Sequence, residues 1–389
     1  MVTDIYGDAV SVLPAIVTKP LRLKPVVKSI NLKTGLHIFC PGCRLYFLEK
    51  ILSTVLLDPS PRKKEDIFSP VALRELSVVH QLIEFDGSNR ADFYNKQIVD
   101  ADFIIGHPDL DASLLKRAKK LKAVFNVEGN FMPNIDYQFC FGRGIRVLTP
   151  SSVFSVPVAE IAIGMLISLA RGIHSAHGDF VKGKELYGLE GNTESELISG
   201  TDLGFIGFGD LGKAIHKLLQ GFNPTIRVFD PWLTESYLLR EGVVPASLEE
   251  VLAKSRFVFV VAAVTENNSG MLNSAKLALM QHGAGLLLLN RAAIADFDPL
   301  VEYTAQGKIR LATDVFPEEP LALAHPIRES PNVLLSAHRA GALNSALLEM
   351  GDLVLEDLKL MEQGLPPQNC KRAEPETVAS LRSKHVEKS

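Results

Sequence analysis

The stretch from Gly200 to Pro231, GTDLGFIGFGDLGKAIHKLLQGFNPTIRVFDP, constrains the fold of this chain more than any other. Leu203 to Ile206 is an unbroken apolar run of the kind a buried parallel strand carries. It leads straight into Gly207, Gly209 and Gly212, spaced G-x-G-x-x-G. Helical periodicity follows at Leu211, Ile215, Leu218 and Leu219, then a second apolar run, Ile226 to Phe229, closed by Asp230. Strand, glycine turn, helix, strand and acid in that order make a unit suited to a dinucleotide. Gly207 permits the tight turn, Gly209 lets the backbone approach a pyrophosphate, and Gly212 lets the helix pack on the strand. The helix begins at Asp210 and Leu211, where free N–H groups and the positive dipole end face the phosphates. Asp230, about 18 residues beyond Gly212, stands where a carboxylate binds ribose hydroxyls and repels the 2′-phosphate of NADP. NAD is therefore the expected cofactor.

At 389 residues the chain is long enough for two domains, each with its own core. A formal net charge of −4 gives no reason to expect a nucleic-acid partner. The densest basic patch, Lys116 to Lys122, interleaves with leucines and reads as the wet face of an amphipathic helix. No run of about 18 apolar residues is evident, so no membrane span is expected. The first residues carry Asp4 and Asp8 and lack the pattern of a signal peptide, which leaves the cytoplasm as the expected location. Cys40-Pro41-Gly42-Cys43 is a C-x-x-C, but a second ligand pair for zinc is missing nearby, and a Pro-Gly turn flanked by reduced thiols accounts for it. No metal site is expected.

Residues 1–34 are broken by Pro14, Pro20 and Pro25 and are read as an N-terminal arm. A strand over 36–39 and a helical run from the Pro-Gly turn to about Leu57 come next. Strand-like segments at 81–85, 102–106, 122–127 and 145–148 alternate with helical ones such as 113–121, which implies a parallel α/β domain. Residues 156–171 should form a buried helix, with Ser152 and Ser155 as candidate caps. Past Asp230 the alternation continues: helix 248–253, strand 257–261, helix 277–280, strand 286–289, helix 299–305, strand 310–312. A last amphipathic helix spans about 343–361, and a peripheral polar tail, 366–389, is expected after it.

Three polar clusters follow strand-like runs in the second half: LLLLNRAAIADFDPL (286–300), ATDVFPEEP (312–320) and SAHRAG (336–341). Together with the glycine motif they resemble the D-isomer-specific 2-hydroxyacid dehydrogenase family, over most of residues 35–365. The resemblance implies an α/β fold of two Rossmann-like domains. One is a doubly wound NAD-binding domain, 153–338. The other is a discontinuous flavodoxin-like substrate domain, 35–152 with 339–365. It implies a homodimer and an oxidoreductase that moves a hydride between NAD(H) and a small 2-hydroxy or 2-oxo acid, running as a 2-oxoacid reductase. Carried over residue by residue, it makes Arg291 the substrate-binding catalytic arginine, His338 the acid–base and Glu319 its partner. It sets Ala262, Asn290, Asp314 and Gly341 on the cofactor side, and the loop Glu128, Gly129, Asn130 and Phe131 on the substrate. The chemistry agrees: such a reaction needs a proton carrier near neutral pH and a cation for the carboxylate.

The chain departs from the family at several points. Leu288 and Ala292 replace an asparagine and a glycine around Arg291, and Ala263 replaces a proline. The substrate loop reads VEGNFMPNID (127–136) in place of a G-x-G-V-D-like run, and Phe131 puts a ring where a glycine is usual. Phe131 is thus expected to narrow the pocket. A second reading on the same fold is an NAD(H)-sensing, co-repressor-like interaction protein, since such relatives keep the same trio.

Overall fold

The computed structural model describes residues 52–379. The N-terminal arm, the strand over 36–39 and the Cys40/Cys43 turn lie outside them. In chain order the strands are β1 (Thr54–Asp58), β2 (Gln81–Glu84), β3 (Phe103–Gly106), β4 (Ala123–Phe125), β5 (Arg146–Thr149), β6 (Asp202–Ile206), β7 (Thr225–Phe229), β8 (Val244–Pro245), β9 (Phe257–Val260), β10 (Ala284–Leu288), β11 (Ile309–Thr313), β12 (Val333–Leu335) and β13 (Lys371–Arg372). They make two sheets, β13-β5-β4-β3-β1-β2 and β12-β11-β10-β9-β6-β7-β8. Every pairing is parallel except β13 with β5.

Both sheets are covered on both faces, and strand side chains alternate between the two covers. Phe257 and Phe259 of β9 face the apolar cluster under helix Ser155–Arg171, while Val258 and Val260 face the cluster under helix Phe297–Ala305. Double burial also explains why β1 is a strand where a helical run is expected. Residues 54–58 (TVLLD) are buried at every position, and an apolar run without alternation cannot be told from a buried helix by its period. Among the other helices and strands expected, the differences concern boundaries. The helix expected at 113–121 runs Ala112–Arg117, and that expected at 277–280 is Ser274–Leu277, started by the Asn273 side chain accepting from the Lys276 N–H.

Helix Ser155–Arg171 links the two lobes. Neither serine caps it: Ser151–Phe154 forms a 3-10 turn that runs directly into the helix, and Phe154 is the capping residue. The stretch Ser151–Arg171 holds an 18-residue window with a mean hydropathy of 2.0 and is by length and composition apolar enough to cross a membrane, contrary to expectation. Half of it is buried in the fold. There Ala159, Ala162, Leu166 and Leu169 pack toward helix Asp210–Leu219 and strands β10 and β11.

The last long helix, Asn344–Glu362, returns to the first lobe, where Met350, Val354 and Leu358 join the cluster of β1 and β3. The tail beyond this helix is not peripheral as far as Val378. Asp357, fully buried, accepts from the backbone N–H groups of Gln368, Asn369 and Cys370 at 2.7, 2.9 and 2.7 Å. That carboxylate turns the chain back so that β13 extends the first sheet, with Lys371 opposite Thr149.

Candidate active site

The glycine turn leaves β6 where the strand order of its sheet reverses, between β6 and β9, the point at which doubly wound sheets open a crevice. Gly207 has φ +91°, and a Cβ there would lie 2.5 Å from the Cα of Ala262. Gly207 and Ala262, each expected on the cofactor side, are thus in contact, and only glycine fits. Gly209 has open space on its side-chain face, and Asp210 and Leu211 begin the helix. Asp230 ends β7 beside the turn: its Oδ2 accepts from the Phe208 N–H at 2.7 Å and its Oδ1 from the Trp232 N–H at 2.9 Å. Asn290 donates from Nδ2 to the Ala262 carbonyl at 2.8 Å, joining the ends of β9 and β10. Close-packed turn, open space over the helix start and an acid at the next strand end suit a dinucleotide.

The catalytic candidates lie along the same carboxyl edge. His338 Nδ1 is 2.6 Å from Glu319 Oε2, and Glu319 Oε1 accepts from the Phe316 N–H at 2.9 Å, so both carboxylate oxygens are engaged. His338 sits at φ +47°, a conformation rare outside glycine. Its hold is Asp314, at the end of β11 and almost fully buried. The Asp314 carbonyl accepts from the His338 N–H at 2.7 Å, and its carboxylate accepts from the N–H groups of Arg339 and Ala340 and from the Ser336 hydroxyl. Asp314 therefore turns its carboxylate into the histidine loop and shapes it.

Arg291 donates to the Asn290 carbonyl at 3.1 Å. Water reaches its side chain, yet enough protein surrounds the guanidinium for burial to hold its pKa below the usual arginine value, while Glu319 and Glu128 pull it back up. Those two acids come from different lobes. Glu128, on the loop after β4, pairs with Arg62 at 3.9 Å and with His107 Nε2 at 3.7 Å. Arg62 also donates from Nε to the Val127 carbonyl at 3.4 Å.

The rest of the substrate loop divides. Phe131 does not join Glu128: its ring meets Tyr137 edge-on, with centroids 6.4 Å apart, inside the lobe's own apolar cluster. The side chain of Asn130, an exposed residue, caps the Phe131 N–H. Gly129, at φ +80°, lies against Phe154, where a Cβ would come within 2.4 Å of the ring. A Cβ added at Gly341, past the histidine loop, would stand 3.1 Å from the Cδ1 of the same ring. Phe154, Arg62 and His107 are not marked by any sequence pattern noted above. His107 follows a strand end at the carboxyl edge, a signal that could have found it.

Fold and edge geometry together define a two-lobed, dinucleotide-binding α/β protein. Residues 163–340 match the family model described as D-isomer specific 2-hydroxyacid dehydrogenase, NAD binding domain. The crystal structure of a phosphoglycerate oxidoreductase from Rhizobium etli is similar, with 48% identity and a TM-score of 0.76, covering 83% of this chain and 98% of that one. A glyoxylate reductase of Pyrococcus furiosus is 30% identical over 266 residues, 66% of this chain and 78% of its own. A D-3-phosphoglycerate dehydrogenase of Archaeoglobus fulgidus is 27% identical over 67% of this chain, a match that spans only 49% of that longer protein. The chain belongs to the D-isomer specific 2-hydroxyacid dehydrogenase family, and its second lobe carries that family's NAD binding domain.

Proposed function

We propose that this protein is an NAD-dependent D-2-hydroxyacid dehydrogenase working as a 2-oxoacid reductase, with Arg291, Glu319 and His338 as its catalytic residues. The observation that carries the reading is the 2.6 Å contact of His338 Nδ1 with Glu319, on the edge that also bears the glycine turn. NADH, when bound, supplies the hydride for C2 of the oxo acid. The turn Gly207 to Gly212 would hold its phosphates and Asp230 its ribose, with Ala262, Asn290 and Gly341 toward the nicotinamide, while Asp314, expected beside them, is buried and holds the histidine loop instead. Arg291 binds the substrate carboxylate with parallel hydrogen bonds. His338, its Nδ1 engaged by Glu319, gives a proton from Nε2 to the carbonyl oxygen and takes it back during oxidation. Glu319 holds the ring's tautomer and orientation. The substrate domain in this reading joins 52–152 to the last long helix and β13, and brings Glu128, Gly129 and Asn130 to the cleft.

A homodimer in the cytoplasm completes the proposal. Exposed apolar residues along and after helix Ile173–Val181, among them Phe180, Tyr187 and Leu189, support self-association. Sedimentation at the monomer mass would remove the dimer. The activity is tested by following NADH consumption with a panel of 2-oxo acids, glyoxylate first, and NAD reduction with 3-phosphoglycerate. Turnover with none of them would overturn the reading.

A further inference from the structure

We propose that Lys371, carried by the first lobe, is a binding residue for the diphosphate of the cofactor held by the second. The proposal rests on the dinucleotide reading above. Lys371 Nζ lies 3.4 Å from Asp210 Oδ2. The two residues belong to different sheets' lobes and stand 161 positions apart. Asp210 is the first residue of helix Asp210–Leu219, whose free N–H groups point to where the diphosphate would sit. A carboxylate at that position favours the helix dipole but opposes a dianionic ligand. An ammonium beside it offsets the acid and adds attraction for the phosphates. Lys371 is no loose tail residue. The Asp357 carboxylate holds the turn at 368–370, and β13 pairs Lys371 with Thr149, so the backbone that carries the amine is part of the first sheet. Both side chains are about half exposed, at 55% and 47%, which leaves the amine free to swing from the carboxylate to a phosphate oxygen. A lysine of one lobe would then register an occupied site in the other.

An exposed ion pair with no ligand contributes little, and that bland role is what the experiment separates. Affinities of the full chain for NADH, ADP-ribose and adenosine would be titrated at low salt, for the unaltered protein and for Lys371→Ala, Lys371→Arg and Lys371→Ala with Asp210→Asn. Lys371→Ala should weaken NADH and ADP-ribose about three- to tenfold and leave adenosine unchanged, because adenosine has no phosphate. The loss should shrink at high salt. Lys371→Arg should keep most of the affinity, and adding Asp210→Asn to Lys371→Ala should recover part of it. Unchanged NADH affinity in Lys371→Ala would overturn the proposal. A parallel loss of adenosine would also overturn it, by marking β13 as structural only. Failure of the unaltered protein to bind NADH would instead overturn the dinucleotide reading itself.

Discussion

Gly129→Ala tests whether one ring, Phe154, holds the substrate loop and the histidine loop in a common arrangement. At φ +80° an L side chain is strained, by about 1–2 kcal/mol. The new Cβ would stand 2.4 Å from Phe154 Cε2, well inside a carbon–carbon contact of about 3.5 Å. The ring must therefore move. Its retreat is limited, because a Cβ on Gly341 would already be 3.1 Å from its Cδ1 and the ring packs on the cluster of Val127, Val153 and Met350. Overpacking of this kind costs about 1–3 kcal/mol, which brings the whole penalty to about 2–5 kcal/mol. The assay is urea unfolding of Gly129→Ala, Phe154→Ala and the double variant, with turnover measured on each. Phe154→Ala removes the obstacle but not the backbone strain, so the two changes should fall short of additive by about 1–3 kcal/mol. Turnover of Gly129→Ala should drop, since the displaced ring has little room on the side of Gly341, just past the histidine loop. An additive pair, or a Gly129→Ala protein as stable as its parent, would refute the reasoning.

Three further outcomes are expected. Asp230→Ala should weaken the preference for NADH over NADPH, and equal catalytic efficiency with both in the unaltered protein would contradict the role given to Asp230. His338→Gln should lose about 10²–10⁴-fold in turnover while NADH titration stays normal; full activity would remove His338 from the mechanism. Asp357→Ala should leave the N–H groups of Gln368, Asn369 and Cys370 without their acceptor, at about 1–3 kcal/mol for each one left buried. A lowered melting temperature and easy proteolysis after Gly364 should result, and a protein unchanged in both would show that the tail is held by something else.

What can be read from the sequence depends on whether the chemistry is local. Turn, helix and acid of the nucleotide half lie within 200–231, so spacing alone locates them, and Arg291, Glu319 and His338 each come after a strand of one sheet in chain order. The first lobe works differently. Arg62, His107 and Glu128 come from the loops after β1, β3 and β4 and meet only because a parallel sheet aligns the carboxyl ends of its strands. No spacing rule joins them. The tail is illegible for a related reason: a two-residue strand has no period, and the group that secures it, Asp357, is an acid inside the preceding helix whose partners lie further along the chain. The substrate loop shows the limit most clearly. In VEGNFM both Glu128 and Phe131 are candidates to face the cleft. Gly129 between them takes a positive φ, which breaks any regular alternation along the loop. The acid goes to Arg62, His107 and the field of Arg291, and the ring goes to Tyr137. The Phe154 ring lies where a side chain at 129 would go, so the loop passes this point only with glycine there, and that constraint comes from a ring 25 residues further along the chain.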